Sequence, residues 1–471
     1  MKHFSKRTLF TVVGGTFGAL AIYVIWPALE PMPDATPLQV NSPGSVDGAG
    51  TLRFLEYAKK AAAREDAEAS DEQVAVASYI KERILAGAYG KRKEVELLAE
   101  LDISPGALIA EITAMFLGGT VPWDALAVQK IVNLPENREL WAIFEEEEDF
   151  REDIGRLCRE PVFHHSLHCG ELITTVRLKI RSELKVGNPV AAREYFTKFH
   201  ALLRFREREA SCLLPMALSM GWRGQLENEI AEFFLAKKRP DAEAIKSLKA
   251  CLDEAEREMP DFHEVLRREL NWGVAYFDYL LGGGDGPEMA WLVGGKGAWD
   301  RFRLQGLKKT WAKEALSLLP AIEARLPLEE IAQISKERQK DPYRKFRSYI
   351  NIYGPFDSLE DEGWGMFSSA KSLLFLRTKS RNRISRAKLE LACYEYRQET
   401  GAFPQDLSAL VPGYLEAVPR YFPSGEGDPE ESVYVIDSQA LVIFPQSSKF
   451  GGELDEEGWP KEEAAIRLRE N

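Results

Sequence analysis

Apolar residues recur every three to four positions through most of residues 51–340, which is the period of an α-helix. In residues 241–259, the apolar positions return to one side of a helix, while lysine and glutamate occupy the other side. The pattern predicts helices at residues 52–67, 71–86, 92–101, 105–117, 167–184, 189–204, 225–237, 241–259, 261–281, 299–324 and 328–340. Their short connectors predict a bundle of helical hairpins or an irregular solenoid.

A further long helix is predicted over residues 369–400, because the apolar residues from Ile384 to Tyr394 share one face. Gly401 follows it and is typical of a helix end with left-handed backbone. Pro404 then begins a short helix.

The end of the chain combines strand and helix patterns. Residues 432–437 and 441–444 predict a β-hairpin, because each is a short apolar run rich in β-formers. Residues 461–469 predict a short final helix.

The start of the chain contains an uncharged apolar run at residues 8–26. A helix of this length spans about 28 Å, close to the hydrocarbon core of about 30 Å. Lys2, Lys6 and Arg7 precede the run, so the positive-inside rule places the N-terminus in the cytoplasm and the remaining chain across the membrane. We therefore expect a transmembrane signal anchor. A cleaved signal peptide is the alternative, although no good small-x-small cleavage site follows the run.

The expected fold class is mainly α. It comprises an N-terminal transmembrane helix, a large helical-hairpin bundle or irregular solenoid, and a small C-terminal α+β module with a β-hairpin. The segments are a cytoplasmic tail at 1–7, the anchor at 8–27, a proline-rich linker at 28–50, the helical body at 51–340, a connector at 341–368 and the C-terminal module at 369–471.

Composition is that of an ordinary folded protein, with 45% hydrophobic and 29% charged residues. A net charge of −13 disfavours a nucleic-acid partner, because neutralising phosphates requires clustered cations. The five cysteines are scattered and form no CxxC motif, so buried thiols are expected. One or two disulfides stay open as an alternative outside the cytoplasm.

The densest group of metal-ligating residues is formed by His164, His165, His168 and Cys169. On a helix, residues four apart share a face, so two pairs in this group have a spacing that can bind a metal. No second ligand pair such as HExxH accompanies them. Structural or surface histidines are the simpler interpretation. We therefore predict no cofactor and no catalytic residue, and we lean against an enzyme.

A basic segment at residues 377–388 contains six cations and no acidic residue. The cations are Arg377, Lys379, Arg381, Arg383, Arg386 and Lys388. The segment forms a solvated face, or it docks either an acidic partner or an acidic face of the helical body.

Residues 386–450 contain a specific order of aromatic, glycine and proline residues. It is carried by Ala392, Tyr396, Arg397, Gly401, Phe403, Pro404, Leu407, Leu410, Val411, Tyr414, Leu415 and Pro419. The segment resembles the region after the long helix in type II secretion pseudopilins and related pilin-like proteins. It is also similar to the tails of large membrane-anchored bacterial proteins. The resemblance implies a local fold whose core contains Tyr396, Phe403, Leu410 and Tyr414.

The chain departs from the pilin-like pattern in ways that limit what the resemblance implies. The helical body separates the module from the membrane helix, and no prepilin-peptidase site is present near the N-terminus. Residues 420–425 replace the D-P-[FW]-x-G segment of the family. We therefore carry over a local fold, without fibre assembly or calcium binding.

The expected function is that of a structural or interaction scaffold, or of a secretion-related accessory factor. It would be anchored in the bacterial inner membrane, have its bulk in the periplasm and bind other envelope proteins. One alternative is an envelope hydrolase or metal-dependent enzyme with its site near residues 164–169. The other is a peptide-binding or chaperone-like helical domain.

Overall fold

The computed structural model describes residues 69–90, 92–101, 103–145, 169–210, 213–235, 242–282, 298–339, 366–421, 432–437, 442–445 and 466–468. Most of these residues are helical, which confirms the mainly α class. The helices are α1 Asp71–Leu85, α2 Lys93–Glu100, α3 Pro105–Gly118, α4 Ala125–Val132, α5 Pro135–Glu145, α6 Cys169–Lys185, α7 Pro189–Glu209, α8 Leu213–Glu227, α9 Ile230–Leu235, α10 Ala242–Arg257, α11 Phe262–Leu281, α12 Ala298–Glu323, α13 Leu328–Gln339 and α14 Met366–Thr400.

Local sequence sets several of the helix boundaries. Ser70 and Gln73 form a capping box at the start of α1, in which each side chain accepts from the other residue's backbone N–H at 3.1 Å. Ser104 caps α3, and Pro105 takes its first position. Gly119 ends the same helix with a left-handed φ of 67°. Residues with a Cβ rarely adopt this backbone conformation, so glycine is favoured here.

The helical body differs from the sequence prediction at α4, at α5 and at α8, whose residues 213–224 carry no predicted helix. The helix predicted over residues 225–237 is also interrupted between α8 and α9. The interruption contains Glu229, which has no exposed side-chain area. Its carboxylate accepts from Arg177 Nε at 2.7 Å and from Arg181 Nε at 2.5 Å, both on α6. The break therefore coincides with a buried ion pair between elements distant in sequence.

Four short strands end the described chain. They are β1 Arg420–Tyr421, β2 Ser432–Asp437, β3 Val442–Pro445 and β4 Ile466–Arg467, and they form an antiparallel sheet in the order β1-β2-β3-β4. The predicted hairpin is confirmed, with Val435 opposite Phe444. The predicted helix over residues 461–469 is wrong, because Ile466 pairs with Ile443. Ile466 and Leu468 are both buried, and their two-residue spacing is that of a strand.

The helix α14 lies along two hydrophobic cores. One core contains side chains from α8, α11, α12 and α13, and Leu376 of α14 packs against it. The other core contains side chains from the earlier helices, and Leu389 and Tyr394 of α14 belong to it. The predicted helix over residues 369–400 is confirmed by α14. Helix α14 therefore contacts both cores, as does α8, which contributes Met216 to the first core and Leu226 to the second.

The C-terminal module packs against the helical body. Tyr394 stacks on Phe234 of α9 with ring centroids 5.0 Å apart, and it forms an edge-to-face pair with Phe403 at 5.5 Å. Leu410 and Ile443 of the module belong to the same hydrophobic core as Phe234. The body and the module therefore share one core.

Two further expectations concern the anchor and the cysteines. Among the described residues, no helix has the length and apolar character needed to cross a membrane. The predicted anchor at residues 8–27 lies outside that part of the chain. Cys251 and Cys393 are buried free thiols, as the scattered spacing predicts. Burial raises the pKa of Cys251 to about 12 and also raises that of Cys393.

Candidate functional site

Of the residues considered as metal ligands, His164, His165 and His168 lie outside the described residues. Cys169 is the first residue of α6. Within the part of the chain that the structure describes, no group of three or more His, Cys, Asp or Glu side chains could hold a metal ion.

Lys388 and Arg383 of the basic segment contact the helical body. Lys388 Nζ lies 2.7 Å from Asp253 Oδ1 and 2.6 Å from Glu256 Oε2, both on α10. Arg383 donates to the carbonyl oxygen of Met220 at 3.2 Å. At these points the segment therefore contacts the chain's own helices.

Arg383 also marks a close approach between α14 and α8. A Cβ placed on Gly224 would lie 2.8 Å from Arg383 Cδ, which is closer than real Cβ contacts. Glycine at this position lets the arginine side chain lie directly on the α8 backbone.

A buried ionic cluster centred on Arg223 of α8 occupies the region where α7, α8 and α14 meet. The Arg223 side chain is only 2% exposed. Its Nε donates to Glu207 Oε1 at 2.7 Å, and its Nη1 donates to Glu227 Oε1 at 2.7 Å. Its Nη2 donates to Ser380 Oγ of α14 at 2.9 Å. One guanidinium therefore links three helices through three separate hydrogen bonds.

His200 of α7 also belongs to this cluster, through its contact with Glu227. It is fully buried, its ring stacks on Phe196 with centroids 5.7 Å apart, and its Nε2 lies 3.3 Å from Glu227 Oε1. Burial lowers the pKa of His200, because an imidazolium would lose its hydration, so the neutral ring is favoured. Its Nδ1 and the second oxygen of Glu227 have no hydrogen-bond partner among the described residues.

The two acids beside Arg223 respond differently to burial. Burial raises the pKa of Glu207, and the attraction of Arg223 does not fully offset it. Burial acts in the same direction on Glu227, but Arg223 and His200 together lower the pKa of Glu227. The pKa of Arg223 is raised, because its two carboxylates outweigh the effect of burial. Glu227 therefore stays ionised to a lower pH than Glu207 does, and it is the carboxylate that balances the charge of Arg223 over the wider pH range.

A second layer of charge extends the cluster to α10. Arg204 of α7 pairs with Glu254 and with Glu258 of α10, the latter at 3.1 Å. On the same helix, the guanidinium of Arg206 lies 4.7 Å from the centre of the Trp222 ring. The ionic contacts therefore join α7, α8, α10 and α14, and their geometry fixes these helices relative to one another.

The sequence of α7 contains a signal for this cluster. Phe196, His200, Leu203 and Glu207 recur at i, i+4, i+7 and i+11, so they share one face of α7. Two of these four positions on an otherwise apolar stripe are polar. Such positions predict a buried partner of opposite charge, although they do not say which residue supplies it.

The motif residues of the C-terminal module lie together near the end of α14. Gly401 has a left-handed φ of 85°, and its N–H donates to Arg397 O at 2.8 Å. Tyr396 and Tyr414 form an edge-to-face pair 5.6 Å apart, and the Tyr414 hydroxyl donates to Glu399 at 2.6 Å. The other motif residues are buried or half-buried: Phe403, Pro404, Leu407, Leu410, Leu415 and Pro419.

Residues 404–411 take a tighter form than the predicted helix. The regular part is a 3₁₀ helix at Leu407–Leu410, begun by Asp406, whose side chain accepts from the Ser408 N–H at 2.7 Å. Leu407 and Leu410 are buried three residues apart, which is the period of a 3₁₀ helix.

Comparison with known proteins gives no match to any family model, curated protein or solved structure. The geometry above is therefore the basis for the proposals below.

Proposed function

We propose that this chain is a membrane-anchored scaffold of the bacterial envelope that presents its C-terminal module to another envelope protein. The apolar run at residues 8–26 and the cations before it support the anchor and its orientation. The pilin-like order of residues in the module supports an envelope or secretion-related setting. In this proposal the N-terminus is cytoplasmic and the helical body is periplasmic.

The observation that carries the scaffold role is the way α14 joins the module to the body. The helix is 35 residues long, or about 52 Å at the usual rise. It is held by half-buried Leu376, by buried side chains from Ile384 to Tyr394, and by the hydrogen bond between Arg223 and Ser380. A module fixed in this way keeps a defined position relative to the body. A fixed position favours recognition by a partner, because less conformational entropy is lost on binding.

Topology is tested with alkaline phosphatase fused after Asn471, since this enzyme becomes active only outside the cytoplasm. We expect an active fusion with the full chain and an inactive one when residues 1–27 are removed. Activity that survives the deletion would contradict the anchor's role in export. An inactive full-length fusion of normal abundance would contradict the periplasmic location.

The partner is tested by placing a photo-crosslinking amino acid at exposed positions of the module. Gln405 and Glu416 are exposed there, and Glu82 on α1 is an exposed control in the body. We expect the two module positions to crosslink the same envelope protein in living cells and the control position not to do so. Equal labelling from all three positions, or none from the module, would contradict the proposed presenting role.

A further inference from the structure

Three connectors between helices lie at one end of the helical body. They follow α1, α3 and α6 and comprise residues 86–90, 119–123 and 186–188. Arg83 Nε donates to Asp124 Oδ2 at 2.9 Å, which joins the last turn of α1 to the start of α4. Arg181 Nη1 donates to the carbonyl oxygen of Leu117 at 2.7 Å, which joins the ends of α6 and α3. We call this part of the body the connector end.

The connector end is apolar and uncharged. Its three connectors contain no Asp, Glu, Lys or Arg, although 29% of the chain is charged. Four large apolar side chains are exposed in or beside the connectors: Leu85, Leu126, Val186 and Val190. They are four of the eight large apolar residues exposed in the described part of the chain, so such residues are concentrated here. Because Leu85 is 77% and Val186 is 73% exposed, these two side chains project beyond their neighbours, and the surface is convex.

The flanking charges at the connector end are close to balanced. The exposed charged residues within four positions of a connector are, among the described residues, Glu82, Arg92, Lys93, Glu94 and Lys185. These are three cations and two carboxylates, whereas the whole chain has a net charge of −13. The less exposed acids are paired, Asp124 with Arg83 and Glu183 with Lys179 at 2.7 Å. The connector end therefore lacks the acidic excess that would repel it from an anionic lipid surface.

A bilayer matches this surface better than a protein partner does. The centre of a protein interface is rich in aromatic and arginine side chains that fill pockets of matching shape. The connector end instead presents aliphatic side chains on convex turns, and a fluid bilayer accommodates these without a preformed pocket. Lys185 directly precedes Val186, and its long side chain lets the ammonium reach the headgroups while Val186 is inserted.

We propose that the connector end docks on the membrane surface, with Leu85 and Val186 inserted at the boundary between headgroups and acyl chains. The inference rests on the proposed function, because the proposed anchor at residues 8–27 is what keeps a bilayer near the body. The linker at residues 28–50 reaches up to about 70 Å when extended, so it lets this end of the body turn towards the bilayer. Docking would fix the orientation of the body relative to the membrane, and with it that of the C-terminal module.

Docking is tested on the full-length protein in vesicles of phosphatidylcholine and phosphatidylglycerol. A fluorescent amino acid replaces Leu85 or Val186, and lipids that carry a nitroxide act as the quencher. We expect strong quenching at both positions. The matched control is Val74, an exposed apolar residue in the first turn of α1, about 16 Å from Leu85 along the same helix. The probe at Val74 should show little quenching.

A probe at Phe17, inside the uncharged run, separates docking from anchoring. We expect quenching at Phe17, at Leu85 and at Val186. Quenching at Phe17, with the two connector-end positions at the level of Val74, would overturn docking and leave the anchor in place. Quenching at the connector end but not at Phe17 would support docking and contradict the anchor. Quenching at none of these positions would contradict both.

Charges introduced at the connector end give a second test. In a Leu85→Asp/Val186→Asp variant, a probe at Leu126 should lose its quenching and fall to the level of Val74, because insertion would take each carboxylate out of water. Both substituted positions are exposed, so the variant should fold like the wild type. Val74→Asp is the matched control and should leave the quenching at Leu126 unchanged. The proposal is overturned if the double variant keeps the wild-type quenching at Leu126.

Discussion

Among the polar contacts that hold α14 against the helical body, two sets differ in burial: one is buried and the other is open to solvent. Arg223 reaches Ser380 from a cluster in which the side chains of Glu207 and Glu227 are nearly inaccessible. Lys388 reaches Asp253 and Glu256, whose side chains are more than 60% exposed. The distances are similar in the two sets, so geometry alone does not distinguish their contributions.

The difference lies in what remains when one partner is removed. An exposed charge that loses its partner is rehydrated, so a surface ion pair contributes at most about 1 kcal/mol. A buried charge that loses its partner stays desolvated, and breaking such a pair costs about 3–5 kcal/mol. The buried cluster should therefore control the position of α14, whereas the surface pairs adjust it only slightly.

The largest effect is expected for Arg223→Ala. This change leaves Glu207 and Glu227 buried without their cation and removes the hydrogen bond to Ser380. We expect the free energy of unfolding to fall by about 3–5 kcal/mol in urea denaturation. The matched control is Arg138→Ala, which removes an exposed arginine of α5 and should change stability by about 0.5 kcal/mol or less. Similar losses in the two variants would contradict the importance of burial.

A smaller effect is expected for Ser380→Ala, which removes only the contact of the cluster with α14. Ser380 is buried and accepts a hydrogen bond from a charged group. Its loss should lower the free energy of unfolding by about 1–2 kcal/mol. In the Arg223→Ala background the same change should cost much less, because the donor is already absent. Additive losses in the double variant would show that Ser380 acts independently of Arg223.

The smallest effect is expected for Lys388→Ala. Its side chain is 21% exposed and its partners are largely solvated, so the loss should be about 1 kcal/mol or less. That loss should disappear in about 1 M salt, where surface charges are screened, whereas the loss in Arg223→Ala should persist. A loss for Lys388→Ala that is unaffected by salt would remove the distinction between the two sets.

Periodicity predicted the helical class and α14 well, because an amphipathic stripe is a local property of the sequence. Gly401 likewise marked the end of α14, since a left-handed residue is a local backbone requirement. The errors occurred where tertiary contacts override local preference. The segment around Ile466 became a strand because it pairs with β3. The helix predicted over residues 225–237 is interrupted where Glu229 meets two arginines of α6.

The candidate site was harder to predict than the fold. His200 and Glu207 stand on an apolar stripe of α7, so the sequence could show that buried polar groups need partners there. It could not show that Arg223 supplies one, or that Ser380, 157 residues away, accepts its third hydrogen bond. In the same way, the six cations at residues 377–388 indicated a charged face but not which of them contact α10.

The sequence by itself determined the helical class, the charge balance, the uncharged run near the N-terminus and the local motif after Thr400, because each depends on neighbouring residues. The tertiary structure decided that the module shares a core with the body, through the stacking of Tyr394 on Phe234. It also decided which charges are buried together. The physical reason is that desolvation depends on everything packed around a group, and that packing is set by residues far apart along the chain.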